Sequence, residues 1–296
     1  MNGILVVNKS PGMTSRDVVN RVQRLTGIRK CGHAGTLDPL ATGVLVVCMG
    51  QATRLVSYVQ SMQKTYRAQF RFGITSDTDD IEGVVTPVAN AVCPSEADLQ
   101  AALLENMGEI DQVPPQYSAV KVKGQRAYKL AREGTKVELK ARVVSIHRFD
   151  LLNYQSPDWE AIIECGSGTY IRSLGRDLGQ KFGCGAVMTS LSREAIGQFS
   201  LGHAVSLEEL EEGNWQDELL PPREATKGLL EFHCNSNQTE NIKHGRAIRL
   251  SEISAKINIT NEANQLAMID PEGKLVAIAE IAHELKLAKP RIVFSD

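Results

Sequence analysis

Apolar positions along this chain switch between a period of two, a period of 3.6 and continuous runs, and the switches mark its elements. Residues 4–8 begin as an unbroken apolar run, the pattern of a buried strand. A Pro-Gly turn at Pro11-Gly12 leads into a helix start at Thr14-Ser15. Val18, Val19, Val22 and Leu25 then recur at helical spacing until Gly27. Val44–Met49 is a second continuous run and predicts another buried strand, and residues 51–59 predict a short helix. In Lys64–Gly73 the large apolar residues alternate, so that Tyr66, Ala68, Phe70 and Phe72 share one face of a predicted strand. Tyr66 opens that face, as core or as the wall of a site.

The middle of the chain continues in the same way. Ser76–Gly83 is rich in aspartate but lacks calcium-loop spacing, and predicts a solvated turn between two strands. Ser95 and Asp98 form a capping-box pattern before a helix with the stripe Leu99, Ala102, Leu103 and Met107, ended by Gly108. Residues 143–152 and 158–165 predict paired strands. Ile171, Leu174, Leu178 and Phe182 have helical spacing, with Gly183 as the stop. Leu191-Ser192-Arg193 is placed before a short strand, and Ser206–Gly213 reads as an acidic, capped helix. Pro221–Gly228 predicts a boundary. Beyond it, apolar runs at 247–250, 256–259, 265–269 and 275–281, with a hairpin turn at Asp270-Pro271-Glu272-Gly273, predict a small, mostly β module.

Composition narrows the class. With 296 residues, 42% apolar and 23% charged, the chain has the make-up of a soluble protein of one large or two smaller domains. No apolar run approaches the ~20 residues of a membrane span, and the N-terminus reads as a first strand, not a signal peptide. The six cysteines are scattered and form no C-x-x-C pair, which suggests neither a zinc knuckle nor a redox pair and fits a reducing cytoplasm. The formal net charge of −2 hides strong segregation. Residues 1–73 carry ten Lys/Arg against two acids, residues 74–120 carry nine acids and no Lys or Arg, and residues 121–142 carry eight Lys/Arg against two acids. Two basic blocks in a near-neutral chain point to a local polyanion footprint, or to blocks that interleave in the fold.

Gly32-His33-Ala34-Gly35-Thr36-Leu37-Asp38-Pro39-Leu40-Ala41-Thr42-Gly43 concentrates the candidate chemistry. Pro39 fixes its own φ and pushes Asp38 toward an extended conformation. Asp38 is thus an acid on a stiff loop beside a buried strand, either a nucleophile or base, or a turn cap. Arg172 falls in the first turn of its predicted helix, where the dipole disfavours a cation. A buried carboxylate, with Asp38 as the candidate, accounts for it; the other reading is an exposed arginine. Arg16, Arg21 and Arg24 lie off the first helix's apolar stripe, facing RNA or water. Residues 111–134 mix prolines, tyrosines and cations, a composition suited to gripping phosphates and stacking on bases.

Several stretches resemble one family in the family's own order. The Gly32–Gly43 loop resembles the active-site motif of the TruB family of tRNA pseudouridine synthases, and Lys9-Ser10-Pro11-Gly12-Met13-Thr14-Ser15 its N-terminal motif. Lys64-Thr65-Tyr66 resembles the tyrosine motif, Pro114–Lys121 the RNA-gripping thumb, and Gly168–Leu174 the arginine motif. The C-terminal segment looks like a PUA module, with Gly245 and Asp270–Gly273 in suitable places. The resemblance implies an α+β pseudouridine synthase domain over 1–228, built on a mixed, largely antiparallel sheet with a thumb insertion near 112–142. A small PUA-like β-barrel over 231–296 is expected to follow.

The activity so implied is isomerisation of uridine to pseudouridine in RNA, with U55 in the T-loop of tRNA as the expected target. No redox change or energy input is needed, so no cofactor or metal is expected. By motif match, Asp38 is the catalytic acid, Tyr66 stacks on the target base and assists at C5, and Arg172 pairs with Asp38. His33 fills the space of the flipped base, Tyr170 and Leu191 line the uracil pocket, and Lys9 braces the loop. The expected partner is the T-arm of tRNA, with no membrane and no obligate protein partner. Two rivals are a non-catalytic RNA-binding protein and a guide-RNA-dependent relative in a ribonucleoprotein.

Overall fold

The computed structural model describes the chain except residues 119, 123, 135–136, 255–256, 258–263 and 295–296. Lys123 of the expected thumb grip and, apart from Ile257, the predicted run at 256–259 therefore lie outside the described residues, as do the side chains of Lys121 and Arg126.

A nine-stranded sheet carries the site. Its strands are β1 (Gly3–Lys9), β2 (Cys31–His33), β3 (Thr42–Met49), β4 (Lys64–Phe72), β5 (Gly108–Gln112), β6 (Arg142–Gln155), β7 (Asp158–Cys165), β8 (Ala186–Ile196) and β9 (Phe199–Ser200). The spatial order is β1-β3-β8-β4-β7-β6-β5, with β2 paired to β3 and β9 to β8. All pairings are antiparallel except β8 with β3, where Ser192 faces Thr42 and Arg193 faces Gly43. The expected mixed, largely antiparallel sheet is thus present.

Three helices flank it: α1 (Ser15–Thr26), α2 (Glu96–Glu105) and α3 (Ile171–Lys181). Thr14 and Asp17 close a capping box on α1, and Gly27 ends it in the left-handed region at φ 71°. Its buried Val18, Val19 and Val22 pack with Leu5, Val7, Leu45 and Val47 of β1 and β3. Arg21, expected to meet RNA or water, instead binds Glu211 at 2.6 Å and Glu208 at 3.3 Å on the acidic helix Leu207–Glu212. The helix α2 stops at Glu105, so Met107 is 38% exposed and outside its stripe, and Gly108 starts β5 instead of ending the helix.

β4 matches its predicted face: Tyr66, Ala68, Phe70 and Phe72 are buried, while Arg67 and Arg71 point outward to Glu160 and Asp158 of β7. Phe70 stacks on Trp159 with ring centroids 4.2 Å apart. Burying an aromatic of this size stabilises the fold by roughly 1.5–3 kcal/mol. Gly175 lets α3 lie directly on that aromatic face, because a Cβ there would stand 2.4 Å from the Phe70 ring. This contact sets the position from which α3 projects Arg172.

The segment Leu191-Ser192-Arg193 is not a prelude to a short strand but the middle of the eleven-residue β8. Arg193, buried at 1% exposure, occupies a slot where alternation asks for an apolar residue, so the strand pattern broke there. The Ser76–Gly83 turn also departs from expectation. It does join the hairpin strands Ile74–Ser76 and Val85–Pro87, but Asp80 bridges to Met188 of β8 and is buried. Within the basic segment expected to form a thumb, Lys121–Val122 pairs with Gln125–Arg126 and a short helix spans Ala127–Arg132.

Beyond residue 229 a second sheet forms from β10 (Leu230–His233), β11 (Ile248–Arg249), β12 (Gln265–Ile269), β13 (Leu275–Ala282) and β14 (Leu287–Val293), in the order β10-β12-β13-β14-β11. The Asp270 side chain accepts from the backbone N–H of Glu272 and Lys274, which makes the predicted turn between β12 and β13. Ala267, Ile269, Leu275, Ile278 and Phe294 share one core with Ile4, Val6, Val44 and Val46 of the first sheet.

Candidate active site

The loop between β2 and β3 holds Asp38, and its neighbours in sequence are tied down on both sides. Before it, Ser15 Oγ accepts from Leu37 N at 2.8 Å and donates to Leu37 O at 3.1 Å. After it, Pro39 O accepts from Gly12 N at 2.9 Å and from Lys9 Nζ at 3.2 Å. Lys9 Nζ also donates to Ser10 O at 3.0 Å and Met13 O at 2.8 Å, so its three donors all serve main-chain carbonyls. Burial lowers the pKa of Lys9, while Asp38 and Glu82 act to raise it. The Asp38 side chain itself stays 36% exposed. Fixed backbone beneath a reachable carboxylate is the arrangement a reacting group needs.

Across the site, Arg172 Nη2 lies 3.0 Å from Asp38 Oδ2, the pairing anticipated from the dipole argument. The guanidinium is buried and uses more than this contact. Nη1 donates to Thr78 O at 2.7 Å and stands 3.4 Å from Asp80 Oδ2, and Nη2 donates to Tyr117 O at 3.2 Å. One turn further along α3, Arg176 pairs with Asp79 at 3.0 Å and donates to Val113 O at 2.7 Å. Burial pushes the Asp79 carboxyl up, and Arg176 and Arg172 oppose that push. Two arginines at i and i+4 on one helix therefore hold the aspartate-rich turn and the root of the thumb. Asp80 and Asp79 were missed because their segment reads as a polar turn; the only trace in the sequence is two arginines spaced for one helical face.

A cavity of about 340 Å³ opens at the Asp38–Arg172 pair and is lined by Tyr66, Tyr170, Leu191, Lys64 and Arg193 as well. Tyr66 is buried, and burial pushes its phenol up while Arg193 opposes this. The phenol accordingly stays protonated near neutral pH, which suits a stacking platform better than a proton acceptor at C5. Tyr170 caps α3 without a side-chain bond; its backbone N–H and C=O are both held by the Gln112 side chain, at 2.8 and 3.0 Å. Leu191 presents an apolar wall and is 7% exposed. His33 is brought near but is not part of the lining: it sits on β2 opposite Val47, half-buried. Burial, then the Arg16 and Arg193 charges, lower its imidazole pKa, so it is a neutral ring at neutral pH.

Lys64 and Arg193 are pocket residues that the motif reading left without a role. Lys64 is buried, donates to Gln60 O and to Met62 O at 2.6 Å, and is lowered to about 8, first by burial and then by Arg193. No periodicity rule places a lysine inward; its position at the head of the β4 inward face was the available signal.

Residues 23–171 match the model of the TruB family pseudouridylate synthase N-terminal domain, and residues 172–226 match that of the tRNA pseudouridylate synthase B C-terminal domain. The chain is 41% identical to tRNA pseudouridine synthase B of Arthrobacter sp. (strain FB24), covering 100% of this chain and 97% of that protein. It is 42% identical to tRNA pseudouridine synthase B of Dehalococcoides mccartyi (strain CBDB1), covering 92% and 93% respectively. Among solved structures, an H/ACA RNP bound to a substrate RNA containing 2'-deoxyuridine is similar in fold, with a TM-score of 0.75 at 22% identity over 99% of this chain and 85% of that one. A Cbf5-Nop10-Gar1 complex is likewise similar, with a TM-score of 0.73 at 24% identity over 99% and 84%.

Proposed function

The chain belongs to the TruB family of pseudouridylate synthases, and we propose that it isomerises uridine to pseudouridine in tRNA, at U55 of the T-loop. The observation that carries this reading is the Asp38 carboxylate, half-exposed and 3.0 Å from a buried Arg172, at the mouth of a cavity walled by an aromatic ring and an aliphatic side chain. The reaction breaks the C1′–N1 bond, turns the uracil and forms C1′–C5; the C5 proton leaves and N1 gains one. It needs a carboxylate at the sugar carbon and a dry slot in which the detached base turns over.

Each residue takes a role that its surroundings support. Asp38 is the group that meets the ribose; direct attack at C1′ and a glycal route both begin from it. Arg172 orients Asp38, and Lys9 holds the loop beneath it. Tyr66 stacks on the base, while Tyr170 and Leu191 close the uracil slot. His33, a neutral ring beside the site, stands in for the base that leaves its stack. The basic thumb over 112–142 grips the T-arm backbone, and residues 231–296 add a PUA-like surface for RNA. No disulfide links cysteines among the described residues, in keeping with work in the cytoplasm.

Tritium release from 5-tritiated uridine in a T-arm transcript tests the proposal. Purified protein alone is expected to release tritium, and Asp38→Asn to abolish release while still binding RNA. Full turnover by Asp38→Asn would remove the acid from the mechanism. Dependence on an added guide RNA and protein partners would favour the ribonucleoprotein reading; the full-length similarity to tRNA pseudouridine synthase B from Arthrobacter, at 41%, supports the stand-alone one.

A further inference from the structure

Arg193 is buried beside the site at 1% exposure, among the largest side chains in the dry interior. A guanidinium in such a place is costly unless its donors are used, so their destinations are informative. Nε donates to Val44 O at 2.8 Å and Nη2 to Gly35 O at 3.0 Å, and the guanidinium lies close enough to the Tyr66 phenol to oppose the upward push on its pKa. These described acceptors are both main-chain carbonyl oxygens, with no carboxylate between them. Gly35 and Val44 bracket the loop that carries Asp38, and Tyr66 stands across from it on β4. One planar fork therefore bonds both ends of the loop and shares the cavity wall with the aromatic opposite.

Backbone register leads to the same place. Arg193 lies opposite Gly43 on β3 and opposite Tyr66 on β4. Gly43 has φ +93°, and a Cβ there would stand 2.4 Å from Arg193 O, so the two strands touch where the loop joins β3. We propose that Arg193 is a positioning residue for pseudouridine formation, setting the separation between the Asp38 loop and the Tyr66 ring by bonding the loop at Gly35 and Val44 while facing Tyr66 across the strand pair. A lysine at this position keeps the charge but has no fork with which to hold both carbonyls. A methionine removes the charge and fills much of the volume.

The inference rests on the catalytic reading of the site, and its test separates the two. With 13C-labelled tyrosine and the Tyr66 signal assigned from Tyr66→Phe, NMR titration of the phenol requires no turnover. Arg193 opposes the upward push that burial, Cys165 and Asp38 give Tyr66. In Arg193→Met the Tyr66 phenol is expected to titrate higher than in wild type, and in Arg193→Lys its resonance is expected to move. Single-turnover rates on a T-arm RNA should fall roughly tenfold to a hundredfold in both variants with RNA affinity retained, the scale of loss from a misplaced reacting group. Should Arg193→Met not fold, Arg193→Lys answers the same question. An unchanged Tyr66 signal and rate in a folded variant overturns the positioning role. Failure of the wild type to release tritium overturns the catalytic reading instead, and the Tyr66 titration then decides the role of Arg193 alone.

Discussion

The Asp38 loop and the segment proposed as the thumb both connect strands of the first sheet, yet they are held in opposite ways. The loop is bonded from outside itself at Gly35, Leu37 and Pro39, by Arg193, by Ser15, and by Gly12 and Lys9. The proposed thumb is tied to the first sheet and α3 at its root, where Gln112 holds Tyr170, Val113 O accepts from Ser173 and Arg176, and Tyr117 O accepts from Arg172. Further along it closes on itself, with the Gln116 side chain bonding both backbone groups of Val137. Bond-making chemistry needs atoms placed within about 0.5 Å, whereas attraction between a cationic surface and phosphates acts over about 8 Å at physiological salt. External bracing thus goes to the segment proposed to do the chemistry, and among the described residues the proposed charged grip is braced at its root.

That division can be broken at several points. The largest effect is expected from Asp38→Asn, with a fall of roughly 10⁴-fold in single-turnover rate, the scale seen when a catalytic group is removed, and RNA affinity retained in a filter-binding assay. Asp80→Ala should come next. It strands the buried Arg172 on one side, and breaking a buried pair typically costs about 3–5 kcal/mol, readable in urea unfolding. Asp80→Asn, which keeps the shape, should recover part of that stability while still slowing turnover. Gly175→Ala drives a methyl toward the Phe70 ring, and overpacking of this kind costs about 1–3 kcal/mol. Because α3 carries Arg172, its rate should fall along with its melting temperature.

Charge neutralisation of Lys121, Lys123, Arg126 and Lys129 tests the other half of the comparison. RNA binding should weaken and its salt dependence flatten by about 0.7–0.9 in slope for each phosphate left without a cation, with the single-turnover rate at saturating RNA unchanged. A fall in that saturating rate would show that the thumb participates in chemistry. The last effect, confined to alkaline pH, concerns Lys64. Its folded value of about 8 lies below the ordinary 10.5, so between these values the unfolded chain binds more protons and stability rises with pH. Lys64→Met should remove that rise, as measured by urea unfolding between the two values.

Much of the site was legible in the residues alone. A glycine-rich loop with an acid before proline, a cation at the wrong end of a helix, and a period-two strand headed by tyrosine each carry a local physical signature. Together they anticipated the pairing of Asp38 with Arg172 across more than 130 positions of chain. The acidic turn at 76–83 carried no such signature, because an aspartate that will be buried against an arginine looks the same as one facing water until the arginine arrives.

Motif resemblance therefore pointed to the pseudouridine synthase fold class, while residue patterns marked the alternating face of β4 and the acid loop, since those two are written in spacing along one element. Which strand lies beside which, and so what surrounds each polar side chain, emerged only on folding. The parallel pairing of β8 with β3, a mere two residues long, puts Arg193 against Gly43 and under the Asp38 loop. The bridge from Asp80 to Met188 carries the acidic turn to Arg172. Periodicity reports the face a residue presents to its own element's axis. It is blind to partners a hundred residues away, and the electrostatics of this site are set by those partners.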